Sequence, residues 1–219
     1  MFESSIAPEL VIVLEKLKNS GIIEKYNFYL AGGTSLALQF GHRFSVDMDF
    51  FTAESFEPAT ILSQLNSKLD FTVIDTGAGT LHITIYDQKI SFFYYPYKLL
   101  FPLLDYNGCP VADYRDVAAM KIIAIAQRGS KKDFVDLFHI MQKGIDLRQL
   151  KKLLNEKYSG QYSWPLLLKG MGCFEDAEIE PMPIMRKGNR KSLLTDKEWE
   201  NIKAYMLEIQ KAAIKEMDL

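Results

Sequence analysis

Cysteine is scarce in this chain: Cys109 and Cys173 are the only two in 219 residues, far apart and at no metal-ligand spacing. That excludes the disulfide framework of a small secreted domain, and both read as free thiols in a reducing compartment. No apolar run approaches the ~20 residues that span a bilayer. The opening MFESSIAPEL lacks the basic and apolar blocks of a signal peptide. The expectation is a soluble, cytoplasmic protein with no membrane partner. Charge of one sign is missing too, with 26 basic against 28 acidic residues and a pI near 6.0. Any contact with nucleic acid must therefore come from a local patch. There is no repeat, no P-loop Gly-Lys-Ser/Thr, no dinucleotide glycine fingerprint and no Gly-x-Ser-x-Gly elbow. The three histidines, His42, His82 and His139, have no ligand partner at a useful spacing, which argues against zinc chemistry.

What is present is ordinary globular composition, 48% hydrophobic and 25% charged. Apolar spacing predicts a helix over 8–19, ended by Asn19-Ser20-Gly21, then a strand over 26–31 running into Gly32-Gly33. A short helix follows over 34–40 with Thr34 as its N-cap, then a strand over 45–51 and a helix over 56–69. Strands are expected over 71–75, 81–86 and 89–95, the last two joined by a turn at Asp87-Gln88. Prolines and Gly108 punctuate 96–113. Beyond it helices are expected over 113–128, 131–142, 146–157 and 195–217, around a mixed segment at 159–194. The chain thus divides into an α/β core over 1–110 and a mostly helical C-terminal domain over 111–219.

One stretch, LAGGTSLALQFGHRFSVDMDFF at 30–51, carries the chemistry. The two glycines between strand and helix let backbone approach a ligand, and the helix N-terminus offers N–H groups to an anion. Asp47 and Asp49 alternate onto one strand face, roughly 6–7 Å apart. Two carboxylates so placed seat Mg²⁺ or Mn²⁺, whose remaining ligands are water and phosphate oxygens. Each feature has a plainer reading, a turn with a cap and a solvated strand face. Together they set a triphosphate beside a metal, the equipment of nucleotidyl transfer.

These residues resemble the signature of the AbiEii/AbiGii-type toxins, a branch of the DNA polymerase β-like nucleotidyltransferase superfamily. The branch adds the His-Arg-x-Ser lead-in found here as His42-Arg43-Phe44-Ser45. The likeness is close over this stretch and extends more loosely through most of the chain. It implies an α/β (α+β) fold, a nucleotidyltransferase-like mixed sheet with a C-terminal helical domain. It also implies an NTP donor, a divalent metal on Asp47 and Asp49, and nucleotide contacts from Gly32, Gly33, Thr34, His42, Arg43 and Ser45. Acceptors in related toxins include tRNA 3′ ends, and a cognate antitoxin in a bacterial toxin–antitoxin or phage-defence system is implied as a partner. Many superfamily members carry a third metal-binding acid on a later strand, where KISFFYYPY places Ser91.

In the helical half, Lys121 and Arg128 lie seven apart on one helix face. The local reading makes Asp133 the capping-box acid of Ser130 and pairs Asp136 with Lys132 at i,i+4. The resemblance implies more: Lys121 as a phosphate-contacting cation, Arg128 and Lys132 adding charge, and Asp133 or Asp136 as a polar support or acceptor-side group. Two other readings stand beside transfer. One is a catalytically inactive nucleotide-binding or interaction protein of the same fold, motivated by the missing third acid. The other is a metal-dependent phosphohydrolase. The aromatic run at 92–97 reads as a core strand and its rim, and RKGNRK at 186–191 as a solvated loop able to touch an RNA backbone.

Overall fold

Apolar side chains three and four residues apart account for α1 (Pro8–Ser20): Leu10, Val13, Leu14 and Leu17 are all buried. Pro8 suits its first turn, and Gly21, at φ 77, closes it with a left-handed cap. A second short helix, α2 (Ile22–Lys25), follows at once, and Asn27 turns the chain at φ 49. The strand expected from residue 26 is therefore confined to β1 (Tyr29–Ala31). The computed structural model describes residues 1–188 and 190–217.

After β1 come α3 (Gly32–Phe40), β2 (Asp47–Thr52) and α4 (Pro58–Asn66). Helix α3 begins two residues before the expected start, with Ala31 rather than Thr34 at the N-cap. Gly32 can enter the helix at φ 69, a conformation that costs a Cβ-bearing residue. Strands β3 (Thr72–Gly77), β4 (Thr80–Ile85) and β5 (Gln88–Tyr94) form a meander. Its second turn is Tyr86-Asp87, one residue earlier than expected, with positive φ at both positions as a two-residue hairpin prefers. In the punctuated stretch lies a further hairpin, β6 (Leu104–Tyr106) and β7 (Cys109–Val111), turning at Asn107-Gly108.

All seven strands join one mixed sheet in the order β3-β4-β5-β2-β1-β7-β6. Strand β2 pairs antiparallel with β1 and parallel with β5, and β1 pairs parallel with β7. Along β2 burial alternates: Met48, Phe50 and Thr52 are fully buried, while Asp47, Asp49 and Phe51 are half-buried. Met48 and Phe50 enter a core with Leu81, Ile83, Ile90 and Phe92 from the sheet and side chains of α1 and α4. This core belongs to a unit spanning Met1–Asp113.

A second unit spans Tyr114–Leu219. It holds α5 (Tyr114–Arg128), α6 (Lys131–Gln142), α7 (Leu147–Tyr158), α8 (Trp164–Met171), α9 (Glu175–Glu178) and α10 (Asp196–Met217). Between α9 and α10 runs a hairpin of β8 (Ile184–Lys187) and β9 (Arg190–Leu193). RKGNRK is thus mostly strand rather than loop; Asn189 lies outside the described residues. Helices α5 and α8 meet at Gly170, where an added Cβ would stand 2.7 Å from Ala126 Cα. Asp116 of α5 and Lys157 of α7 form an ion pair at 2.7 Å with both side chains 0% exposed. Among the described residues no helix is long and apolar enough to cross a membrane.

Candidate functional site

In the first unit, the site residues meet at the junction of β2 with α3. Strand pleating puts Asp47, Asp49 and Phe51 on the face opposite the core. Asp49 lies against the first turn of α3, so close that a Cβ on Gly32 would stand 3.1 Å from Asp49 Oδ2. The glycine thus serves both the turn and the approach of the carboxylate to a helix N-terminus, where negative charge is favoured. Thr34, inside the helix, turns its hydroxyl to β2: Oγ1 bonds Asp47 O and lies 2.8 Å from Ser45 Oγ. Ser45 Oγ donates to Asp47 Oδ1 at 3.1 Å, and an Arg43 N–H reaches Ser45 Oγ at 3.4 Å. Arg43, Ser45 and His42 are buried, and the His42 ring meets Phe40 edge-on at 5.8 Å. Gly33 is buried one residue into the helix.

The neighbouring strands extend this row. Register pairs Asp49 with Ser91 of β5, and Ser91 with His82 of β4. His82 Nδ1 lies 3.0 Å from Ser91 Oγ. Burial pulls the imidazole below its ordinary pKa, aided by Lys89 and opposed by Asp75. Sequence spacing did not link His82 to the acids, because the link crosses two strand pairings. The available signal was the hairpin at Tyr86-Asp87, whose register brings His82 opposite Ser91.

Two carboxylates beside hydroxyls suit a hard, oxygen-seeking cation that keeps places for phosphate oxygens and water. No third acid joins them: among the described residues no group of three or more His, Cys, Asp or Glu could hold a metal.

In the second unit, Lys121, Arg128, Asp133 and Asp136 converge where α5 meets α6. Lys121 Nζ lies 2.7 Å from both Asp133 Oδ1 and Asp136 Oδ2. Arg128 grips Asp133 with two N–H donors, at 2.7 and 3.1 Å. Both acids and Lys121 are buried, while the Arg128 side chain is 65% exposed. Burial pushes the Asp133 carboxyl up, but Lys121 and Arg128 outweigh it and hold the group below the usual carboxylate range. The two local expectations for these acids therefore give way to tertiary pairing. Ser130 makes no side-chain cap, and Asp136 pairs with Lys121 rather than Lys132. The start of α6 is capped from afar by Glu180 Oε2, which accepts from Lys131 N at 2.8 Å and Ser130 Oγ at 2.9 Å. Lys131 is buried, whereas Lys132 is exposed.

The chain is similar to known proteins over most of its length. The sequence matches the family described as nucleotidyl transferase AbiEii toxin, type IV TA system, over residues 17–99 and 68–216. An uncharacterized protein of Aquifex aeolicus, aq_aa25, is 42% identical over 172 residues, covering 76% of this chain and 82% of that one. Among solved structures, JHP933 of Helicobacter pylori superposes with a TM-score of 0.53 at 16% identity, covering 98% of this chain and 97% of its own. MenT4, a nucleotidyltransferase toxin of Mycobacterium tuberculosis, gives 0.51 at 17% identity over 84% of this chain and 75% of its own. At those identities the structural likeness speaks for the fold.

Proposed function

This chain belongs to the AbiEii family of nucleotidyl transferase toxins, and on that footing we propose that it moves a nucleotide from an NTP to an acceptor hydroxyl. The observation that carries the reading is the approach of Asp49 to Gly32, which joins an acid pair to a helix N-terminus on one sheet face. In the reaction the acceptor oxygen bonds the α-phosphorus, the α–β bridging bond breaks and pyrophosphate leaves. The acceptor's proton passes to solvent.

Asp47 and Asp49 would hold Mg²⁺ or Mn²⁺, whose charge offsets that of the phosphates. Ser45 holds the Asp47 carboxylate, and Thr34 in turn holds Ser45 and the Asp47 carbonyl. The N–H groups at Gly32 and Gly33 suit phosphate oxygens. Arg43 and His42, both buried, order the segment that leads into β2. Within the second unit we propose Lys121, Arg128 and exposed Lys132 as nucleotide-binding cations, with Asp133 and Asp136 holding Lys121 in place. We further propose that the protein acts in the cytoplasm as the toxin of a toxin–antitoxin or phage-defence pair. Its acceptor would then be an RNA such as a tRNA 3′ end, and an antitoxin protein would restrain it.

The test is incubation of the purified chain with α-labelled NTPs, Mg²⁺ and total tRNA. Label should enter RNA with the wild type and not with Asp47→Ala/Asp49→Ala; label in neither RNA nor protein would overturn the reading. Ser91 in place of a third acid favours one rival, a nucleotide-binding protein without turnover. That rival predicts calorimetric NTP binding with no product, and toxicity on expression that survives Asp49→Asn.

A further inference from the structure

The proposed reaction leaves the basic run at 186–191 unused. In the β8–β9 hairpin, Arg186 faces Lys191 and Lys187 faces Arg190. Two successive cross-strand pairs are therefore cation against cation. Like charges directly opposite destabilise a strand pair, and a two-stranded ribbon has little stability to spare. Charge on an edge strand does guard against unwanted pairing, but opposite signs in register would serve that purpose without the repulsion. Successive residues of a strand point to opposite faces, so the ribbon carries one cation pair on each face. Lys187 also meets Glu198 of α10 at 2.5 Å, which pins the hairpin to its unit.

Charge across the chain points the same way. The near-neutral total conceals a division: Met1–Asp113 holds 7 basic and 13 acidic residues, whereas Tyr114–Leu219 holds 19 basic and 15 acidic. The hairpin is thus the densest cationic feature of a unit that is itself positive by 4. A local positive field of this kind draws in polyanions.

We propose that the β8–β9 hairpin is a nucleic-acid docking element that holds the phosphodiester backbone. Met185, on the Lys187 and Arg190 face, is buried and Lys187 is tied to Glu198, so the backbone would lie along the opposite face, where Arg186 and Lys191 stand. Ile184 and Leu193, exposed and facing each other nearer the hairpin's base, add apolar contact on the Arg186 and Lys191 face. The element positions a nucleic acid without reading its bases, since phosphate contacts carry no sequence information. The inference concerns binding alone and stands whether or not the chain transfers nucleotides.

The test uses the full chain without NTP, with fluorescence anisotropy on a labelled RNA duplex, a single-stranded RNA and a DNA duplex across a salt series. Arg190→Glu/Lys191→Glu is compared with wild type and with Lys151→Glu/Lys152→Glu on α7 as a charge-matched control. The hairpin variant should bind the duplexes at least tenfold more weakly. Its slope of log affinity against log salt should fall by about 1 for each phosphate-contacting cation removed. Its melting temperature should stay close to that of wild type. Loss on the single strand alone, with both duplexes bound as tightly as by wild type, would overturn the docking of duplex backbone on this face. Equal loss in the α7 control, or unchanged affinity and slope in the hairpin variant, would overturn the docking role. So would a wild type that binds poly-glutamate as tightly as nucleic acid.

Discussion

Ser91 faces Asp49 across the parallel β2–β5 pairing, and its hydroxyl lies 3.0 Å from His82 Nδ1. A hydroxyl and an imidazole thus extend the row in which a third acid was expected. Ser91→Asp should create that third carboxylate and tighten Mn²⁺ binding in a calorimetric titration. Ser91 is only 1% exposed, so the new charge should lower the melting temperature without metal, and Mn²⁺ should restore it. A folded variant with unchanged Mn²⁺ affinity would show that the site does not extend along this row.

Gly32→Ala probes the junction between acid pair and helix. At φ 69 an alanine is strained by about 1–2 kcal/mol, and its Cβ would meet Asp49 Oδ2 at 3.1 Å. Urea denaturation should register that loss, and label transfer should fall further than stability alone explains. Full activity in Gly32→Ala would mean that the carboxylate's approach to α3 does not matter.

The charged cluster of α5 and α6 should respond unequally to its two cations. Lys121→Met removes the cation shared by two buried carboxylates and should cost about 3–5 kcal/mol. Arg128→Ala should cost less, because Arg128 is largely exposed and Lys121 remains. Asp133 has a folded pKa below its unfolded value of ~3.9. Its contribution is therefore complete above that value and drains away as pH falls through the folded pKa. Stability measured from pH 6 down to pH 2 should fall steeply in wild type and less so in Asp133→Asn. Parallel curves would disprove the linkage.

Asp116 and Lys157 form a fully buried pair of another kind. Burial pulls the Lys157 ammonium below the usual lysine range, with Asp116 opposing. Asp116→Ala alone should cost about 3–5 kcal/mol, whereas Asp116→Leu with Lys157→Met should be near neutral or stabilising. A double variant as unstable as the single one would point to a role beyond charge compensation.

The thiols offer a simple check on the packing. Cys109 is buried, and burial pushes its thiol up to about 12, while Cys173 is exposed. Ellman's reagent at pH 8 should titrate one thiol in the native protein and two in guanidinium. Two fast-reacting thiols in the native state would contradict the burial of β7.

Legibility in the sequence followed distance along the chain. The shared face of Asp47 and Asp49 was readable because strand alternation is local. So was the end of α5 at Gly129, which has φ 57. The role of Gly32 was half readable: the glycine pair is plain in the sequence, but Asp49, the side chain it accommodates, comes from the next strand. Strands β6 and β7 are three residues each, too short for periodicity, although Asn107-Gly108 is the kind of dipeptide that turns a hairpin. At Asp133 and Asp136 the local spacing had a complete explanation of its own. Tertiary pairing with Lys121 overrode it, and nothing within one helix could have announced that.

Strand β2 has three strands on either side of it in the sheet. Its amides and carbonyls are locked into β1 and β5, so exposing them requires breaking the sheet rather than lifting a loop. Backbone hydrogen exchange at Met48 and Phe50 should therefore proceed only as fast as the unit unfolds. A restraint on this face then has to cover the acids or alter a side chain. Prying the two carboxylates apart would cost the stability of the whole sheet.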